Sequence, residues 1–74
     1  MDKQAIGLRL RELRGDRQLI EIAIDTGLSI SAISNYEQGL RVPRDDIKLI
    51  LARYYDVSID YLFFGRNYTQ CEDE

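Results

Sequence analysis

The chain has no histidine, and its single cysteine, Cys71, has no second thiol to pair with. An internal disulfide is therefore excluded, and so is a Cys/His metal cluster. No glycine-rich phosphate loop is present; the five glycines stand singly. The adjacent carboxylates at Asp45/Asp46 and Glu72/Asp73/Glu74 belong to a helix start and to the tail, not to a paired acid–base site. On this inventory the chain is not expected to be an enzyme, and no cofactor or metal is expected. Cys71 lies in an acidic segment whose nearest base is Arg66, so its thiol is not expected to be activated. No apolar run approaches the roughly 18–20 residues of a membrane span, and no signal-type segment precedes the first helical pattern. A cytoplasmic protein with no membrane partner is expected. Strand-like alternation, internal repeats and low-complexity segments are also missing.

Seventy-four residues, 45% hydrophobic and 31% charged, make one small globular domain. A domain of this size buries only about 60% of its unfolded surface, so its core is thin. The net charge of −3 argues against indiscriminate binding of nucleic acid, but the charge is unevenly spread. Residues 1–44 carry seven Lys/Arg against six Asp/Glu, and residues 45–74 carry three against seven. The N-terminal half is thus left able to face phosphate.

Helical spacing organises most of the chain. Residues 4–14 repeat Ile6, Leu10 and Leu13 on one side, with Arg9, Arg11 and Glu12 elsewhere, and Gly15 is the stop. Asp16 is the expected N-cap of a second helix, Arg17 to Thr26. Leu19, Ile22 and Ala23 form its inner face, widened by Ile20 and Ile24, and the small Ala23 should let the next helix cross closely. A fourth helix is predicted from about Arg44 to Tyr55, with Pro43 favouring its first turn and Asp45 and Asp46 at its positive end. Ile47, Ile50, Leu51 and Tyr54 are its buried stripe, bordered by Leu49 and Tyr55. Ser58 caps a short fifth helix, Ile59 to Phe64, closed by Gly65. Residues 66–74 are expected to form a flexible acidic tail.

Between the second and fourth helices lies the most informative stretch, Gly27 to Gly39. Gly27 can take the positive φ that closes a helix, Ser29 is a good N-cap, and Gly39 ends the third helix. Leu28, Ile33 and Leu40 are the positions expected to pack inward. Ser31, Asn35 and Gln38 fall at i, i+4 and i+7 and form an uncharged stripe. A merely solvated helix more often carries Lys and Glu there, whereas uncharged hydrogen-bonding groups suit the reading of base edges.

Three runs of residues together resemble the Cro/repressor-type helix-turn-helix domain, the xenobiotic-response-element family. They are Ile6-Gly7-x-Arg9-Leu10-Arg11-x-Leu13-Arg14, Ala23-x-x-x-Gly27-Leu28-Ser29 and Ile33-Ser34-x-Tyr36-Glu37-x-Gly39. Pro43, Ala52, Val57-Ser58-Ile59-Asp60-Tyr61-Leu62 and Gly65 extend the likeness across residues 6–65. The resemblance implies an all-α, lambda-repressor-like five-helix bundle over residues 1–65. Helix 3 would be the recognition helix, lying in the major groove of double-stranded DNA. By the same resemblance Ile30, Ser31 and Asn35 approach bases, while Gln38, Arg41 and Arg44 touch phosphates. Asn35 can pair bidentately with adenine, and Ile30 is open to two uses, meeting a thymine methyl or packing on helix 2. Tyr36 is open to two uses, its ring shielding the core and its hydroxyl reaching a phosphate. Arg14 and Glu37 would form an ion pair tying helix 1 to helix 3, a structural role.

Family members are commonly dimers on inverted half-sites about one helical turn apart. Of the seven aromatics, most of Tyr54, Tyr55, Tyr61, Phe63 and Phe64 fall at core spacing, a better fit than a stacking platform; some must stay exposed on so small a bundle, with Phe63 and Phe64 as candidates for a dimer contact. Three departures from the family pattern stand out. The link between helices 1 and 2 is about two residues shorter. Leu19 takes the place of a glutamine that often touches DNA, and Asp16 would bring a carboxylate near the backbone. Asp45 and Lys48 occupy positions that are commonly apolar. The expected function is a sequence-specific transcriptional regulator, a bacterial, phage or mobile-element repressor that occupies an operator and excludes polymerase. The alternative is a protein-interaction module on the same fold, an antitoxin or anti-regulator with a protein partner.

Overall fold

The computed structural model describes residues 2–65, which form five helices and, among those residues, no strand. In chain order they are α1 (Lys3–Arg14), α2 (Leu19–Thr26), α3 (Ile30–Glu37), α4 (Asp45–Tyr55) and α5 (Ile59–Phe64). The all-α, five-helix architecture is the one the sequence predicts. The acidic tail and Cys71 lie outside the described residues.

Side-chain caps set several helix starts. The Asp2 carboxylate accepts from the N–H groups of Gln4 (3.0 Å) and Ala5 (3.2 Å), so α1 begins one residue before its apolar pattern. Ser29 accepts from Ala32 N–H at 3.0 Å and Ser58 from Tyr61 N–H at 2.9 Å. Each such cap stabilises by about 1 kcal/mol by satisfying an otherwise orphan donor. The end of α4 turns through Asp56, which takes a left-handed φ of 58°.

The start of α2 differs from expectation. It begins at Leu19 with Gln18 as N-cap and no side-chain cap bond, and Asp16 lies in the exposed turn before it. Arg17 explains the difference. Its N–H donates to the Arg14 carbonyl (3.3 Å), and its guanidinium reaches back to the carbonyls of Arg14 (3.2 Å) and Leu13 (3.3 Å). Arg17 therefore closes α1 instead of opening α2, and the Asp16 carboxylate does not cap α2.

The core draws on every helix: Ile6 and Leu10, Ile22, Ile33 and Tyr36, Leu51 and Ala52, Leu62 and Phe63. α1 is central, packing on α3 and α5, while α4 lies against α2 and α5. A close backbone approach is made at Gly7, and Ala23 is half-buried. A Cβ on Gly7 would lie 2.7 Å from the Tyr36 carbonyl oxygen and 2.8 Å from the Glu37 carbonyl carbon, and nearer still to the Glu37 oxygen. Arg9 ties the far end of the bundle, donating from Nη1 to the Leu62 carbonyl at 2.9 Å.

Several apolar positions expected inside are not. Leu40 is 61% exposed, and Ile20 and Ile24 are exposed on α2. Five apolar residues in an eight-residue helix cover more than one face, and so small a bundle has neighbours for one face only. Leu49, at the border of the α4 stripe, is also exposed. Pro43 is fully buried two residues before α4, and Arg44 is the N-cap, so the proline packs without starting the helix. Phe63 is buried, with the Lys48 ammonium 4.8 Å from its ring centroid, which removes it as a surface dimer contact. Lys48 pairs with Asp45 at 3.4 Å, so its stem packs inward while its charge is answered locally.

Candidate nucleic-acid interface

The turn joining α2 to α3 is built from three residues. Gly27 takes φ 79°, ψ 7°, a left-handed conformation that strains other residues. The Leu28 N–H donates to Thr26 Oγ1 (3.2 Å), and that hydroxyl donates to the Ile22 carbonyl (2.7 Å). Leu28 then packs against the core, and Ser29 caps α3. The far end of α3 closes as a Schellman motif around Gly39, whose φ is 76°. Gly39 N–H donates to the Tyr36 carbonyl (3.2 Å) and Leu40 N–H to the Asn35 carbonyl (3.0 Å). Both ends of this eight-residue helix are thereby fixed.

At about 100° per residue, Ser31, Asn35 and Gln38 lie together on one side of α3, roughly opposite Ile33, Tyr36 and Glu37. Burial follows that division. Ser31 and Gln38 are exposed and Asn35 is half-buried, whereas Ile33 and Tyr36 are buried. Ile30, 43% exposed, flanks the outward side at the first turn. Gln38 Nε2 donates to Ser34 Oγ at 2.6 Å, which holds the amide along the helix. That i, i+4 partner was legible from the spacing alone. Arg41 and Arg44 are exposed in the connection after α3. The Tyr36 ring is part of the central cluster and the residue is only 8% exposed, so its shielding role dominates its surface.

Arg14 and Glu37 lie across the α1–α3 contact as a two-pronged pair. Nε meets Oε2 at 2.8 Å and Nη2 meets Oε1 at 2.9 Å, with the Glu37 side chain only 7% exposed. The hydrogen bond to Glu37 holds the guanidinium above its ordinary pKa. Its third arm, Nη1, donates to the Arg17 carbonyl at 2.7 Å, so one arginine anchors both α3 and the α1–α2 turn.

A second polar junction escaped the sequence reading. Arg17 Nη1 donates to the Tyr54 hydroxyl (2.9 Å), and that hydroxyl donates to Asp25 Oδ2 (2.8 Å). The guanidinium carbon lies 5.4 Å from the Tyr54 ring centroid and 5.6 Å from that of Tyr55. The hydrogen bond to Asp25 raises the Tyr54 pKa. Burial, with a smaller contribution from the Glu37 charge, pushes Tyr55 up to about 12. Among the described residues there is no group of three or more His, Cys, Asp or Glu side chains that could hold a metal. No helix among them is long and apolar enough to cross a membrane.

The chain belongs to the Cro/repressor-type helix-turn-helix family, the xenobiotic-response-element family: the family's helix-turn-helix model matches residues 8–62, from the middle of α1 into α5. It is also 41% identical over 56 residues to the uncharacterized HTH-type transcriptional regulator YobD of Bacillus subtilis (strain 168). That alignment covers 73% of this chain and 50% of YobD, so the chain spans about half the length of this curated relative. No solved structure gives a significant match.

Proposed function

We propose that this protein is a sequence-specific regulator of transcription that binds double-stranded DNA. It lays α3 in the major groove and acts as a dimeric repressor of the phage or mobile-element kind on an inverted-repeat operator. The observation carrying this reading is the outward side of α3, where Ser31, Asn35 and Gln38 present uncharged donors and acceptors on a helix held at both ends. Hydroxyl and amide groups on a rigid helix can discriminate base edges, and Ile30 offers an apolar surface for a thymine methyl. Arg41 and Arg44, at the exit from α3, supply charge for the backbone without specifying sequence. Tyr36 contributes at most the edge of a buried ring. Family membership and the description of YobD as an HTH-type regulator support the same reading.

With two arginines per chain facing phosphate, binding should weaken with salt at a slope of about −2 per protomer. Selection of a preferred site from a random duplex pool tests the proposal. The parent should enrich one sequence, while Ser31→Ala and Asn35→Ala should lose that preference without losing helical content. A parent that enriches no sequence would refute it. The competing reading, an interaction module for a protein partner, draws on the acidic second half of the chain. It gains if the parent selects no DNA.

A further inference from the structure

The α2–α3 unit must be held at one angle to the rest of the bundle if its outward side is to meet DNA in register. α3 has ample means, through Gly7, the Arg14–Glu37 pair and two buried side chains. α2 has few. Ile22 is its one buried hydrophobic, Ile20 and Ile24 face outward, and its N-cap makes no side-chain hydrogen bond. Its apolar grip on the bundle is correspondingly slight. The polar contacts beside it, however, converge on a single atom. The Tyr54 hydroxyl, near the end of α4, accepts from Arg17 just before α2 and donates to Asp25 in its last turn. Arg17 is itself tied to the end of α1 through Leu13 and Arg14 and lies against both tyrosine rings. The Tyr54 and Tyr55 rings meet edge to face at 4.9 Å, which limits how far the phenol can swing.

The geometry points to Tyr54 as a positioning residue: its hydroxyl, pinned between Arg17 and Asp25, fixes the angle of α2 against α3 and α4, and so how the two helices meet DNA together. The inference rests on the DNA-binding reading for its consequence but not for its structural content. The pin acts at both flanks of α2, so its loss frees a rotation of α2 on α4 instead of unfolding the domain. The ring itself is retained in Tyr54→Phe, keeping the stacking on Tyr55 and Arg17.

Two measurements on the full chain test this. Residual dipolar couplings of backbone amides report the angle of α2 against α1, α3, α4 and α5 without any DNA. Affinity for the parent's selected duplex reports the consequence. Tyr54→Phe and Asp25→Ala should each change the couplings of α2, leave those of α3 in place, and weaken the selected site about three- to tenfold, the range for a lost hydrogen bond. Their salt slopes should match the parent, because no phosphate contact is removed. Asp25→Asn, which keeps an acceptor for the phenol, should restore both readouts. Parent-like couplings in Tyr54→Phe and Asp25→Ala would overturn the inference, and so would failure of Asp25→Asn to rescue. A parent that selects no duplex would sink the DNA reading, yet the couplings would still decide whether the pin sets the angle.

Discussion

Replacing Gly7 by alanine sets two well-defined effects against each other. In a helix interior, alanine is favoured over glycine by about 0.8–1.0 kcal/mol, so on α1 alone the substitution would stabilise. Against α3 it must do the opposite. The added methyl would lie 2.7 Å from the Tyr36 oxygen and 2.8 Å from the Glu37 carbonyl carbon, both backbone atoms that no change of rotamer can move. Overpacking of this kind costs about 1–3 kcal/mol, and three backbone contacts under 3.0 Å place Gly7 at the upper end. The net loss should therefore be about 2 kcal/mol, or roughly 8–16 °C in the melting temperature of a domain this size. Opening the α1–α3 crossing should also lengthen the Arg14–Glu37 pair, so DNA affinity should fall in parallel. Circular dichroism melts of the parent and Gly7→Ala are sufficient, with Leu8→Ala on the exposed side of the same helix as a near-neutral reference. A Gly7→Ala protein that melts at or above the parent temperature would show that the two helices do not meet at this glycine.

Glu37→Ala leaves a guanidinium that is only 18% exposed without its carboxylate, and should lower stability by about 2 kcal/mol. Sequence preference should change little; equal melting temperatures for mutant and parent would count against a structural role for the pair. Asp56→Gly relieves the left-handed backbone at the end of α4 and should raise stability by about 0.5 kcal/mol in a urea titration. Alkaline pH should destabilise the fold through Tyr55. Its folded pKa of about 12 lies above the unfolded value near 10, so the associated stability is complete below about pH 10 and is lost as pH rises toward 12. Tyr55→Phe should flatten that decline, and phenolate absorbance should show one fewer late-titrating tyrosine in the variant than in the parent.

Much of the architecture is local and could be read directly. Ser29, Ser58, Gly27 and Gly65 act within a few residues of themselves, so their caps and stops follow from residue type and spacing. The outward stripe on α3 was equally legible, because a helical period assigns faces whether or not the partner is known. The differences have two causes. Local spacing places Arg17 in α2, whereas its distant partner Tyr54 is invisible in a local window. The contact of Arg9 with Leu62, 53 positions away, has no local sign for the same reason. Ile20, Ile24 and Leu40 were placed inside by hydrophobicity, but a five-helix bundle runs out of interior before this chain runs out of apolar side chains. Gly7 showed the opposite: lacking a side chain, it carried no periodic signal, and its value appears only when α3 is laid across it.

The two sides of α3 share no residue. Ile33, Tyr36 and Glu37 hold the helix to α1 and the core, while Ser31, Asn35 and Gln38 are turned away from them. Changes in the outward set therefore leave the inward contacts intact and carry little penalty in folding. A scaffold divided in this way can acquire a new target by replacing two or three side chains, and divergent descendants could keep one bundle while answering to unrelated operators.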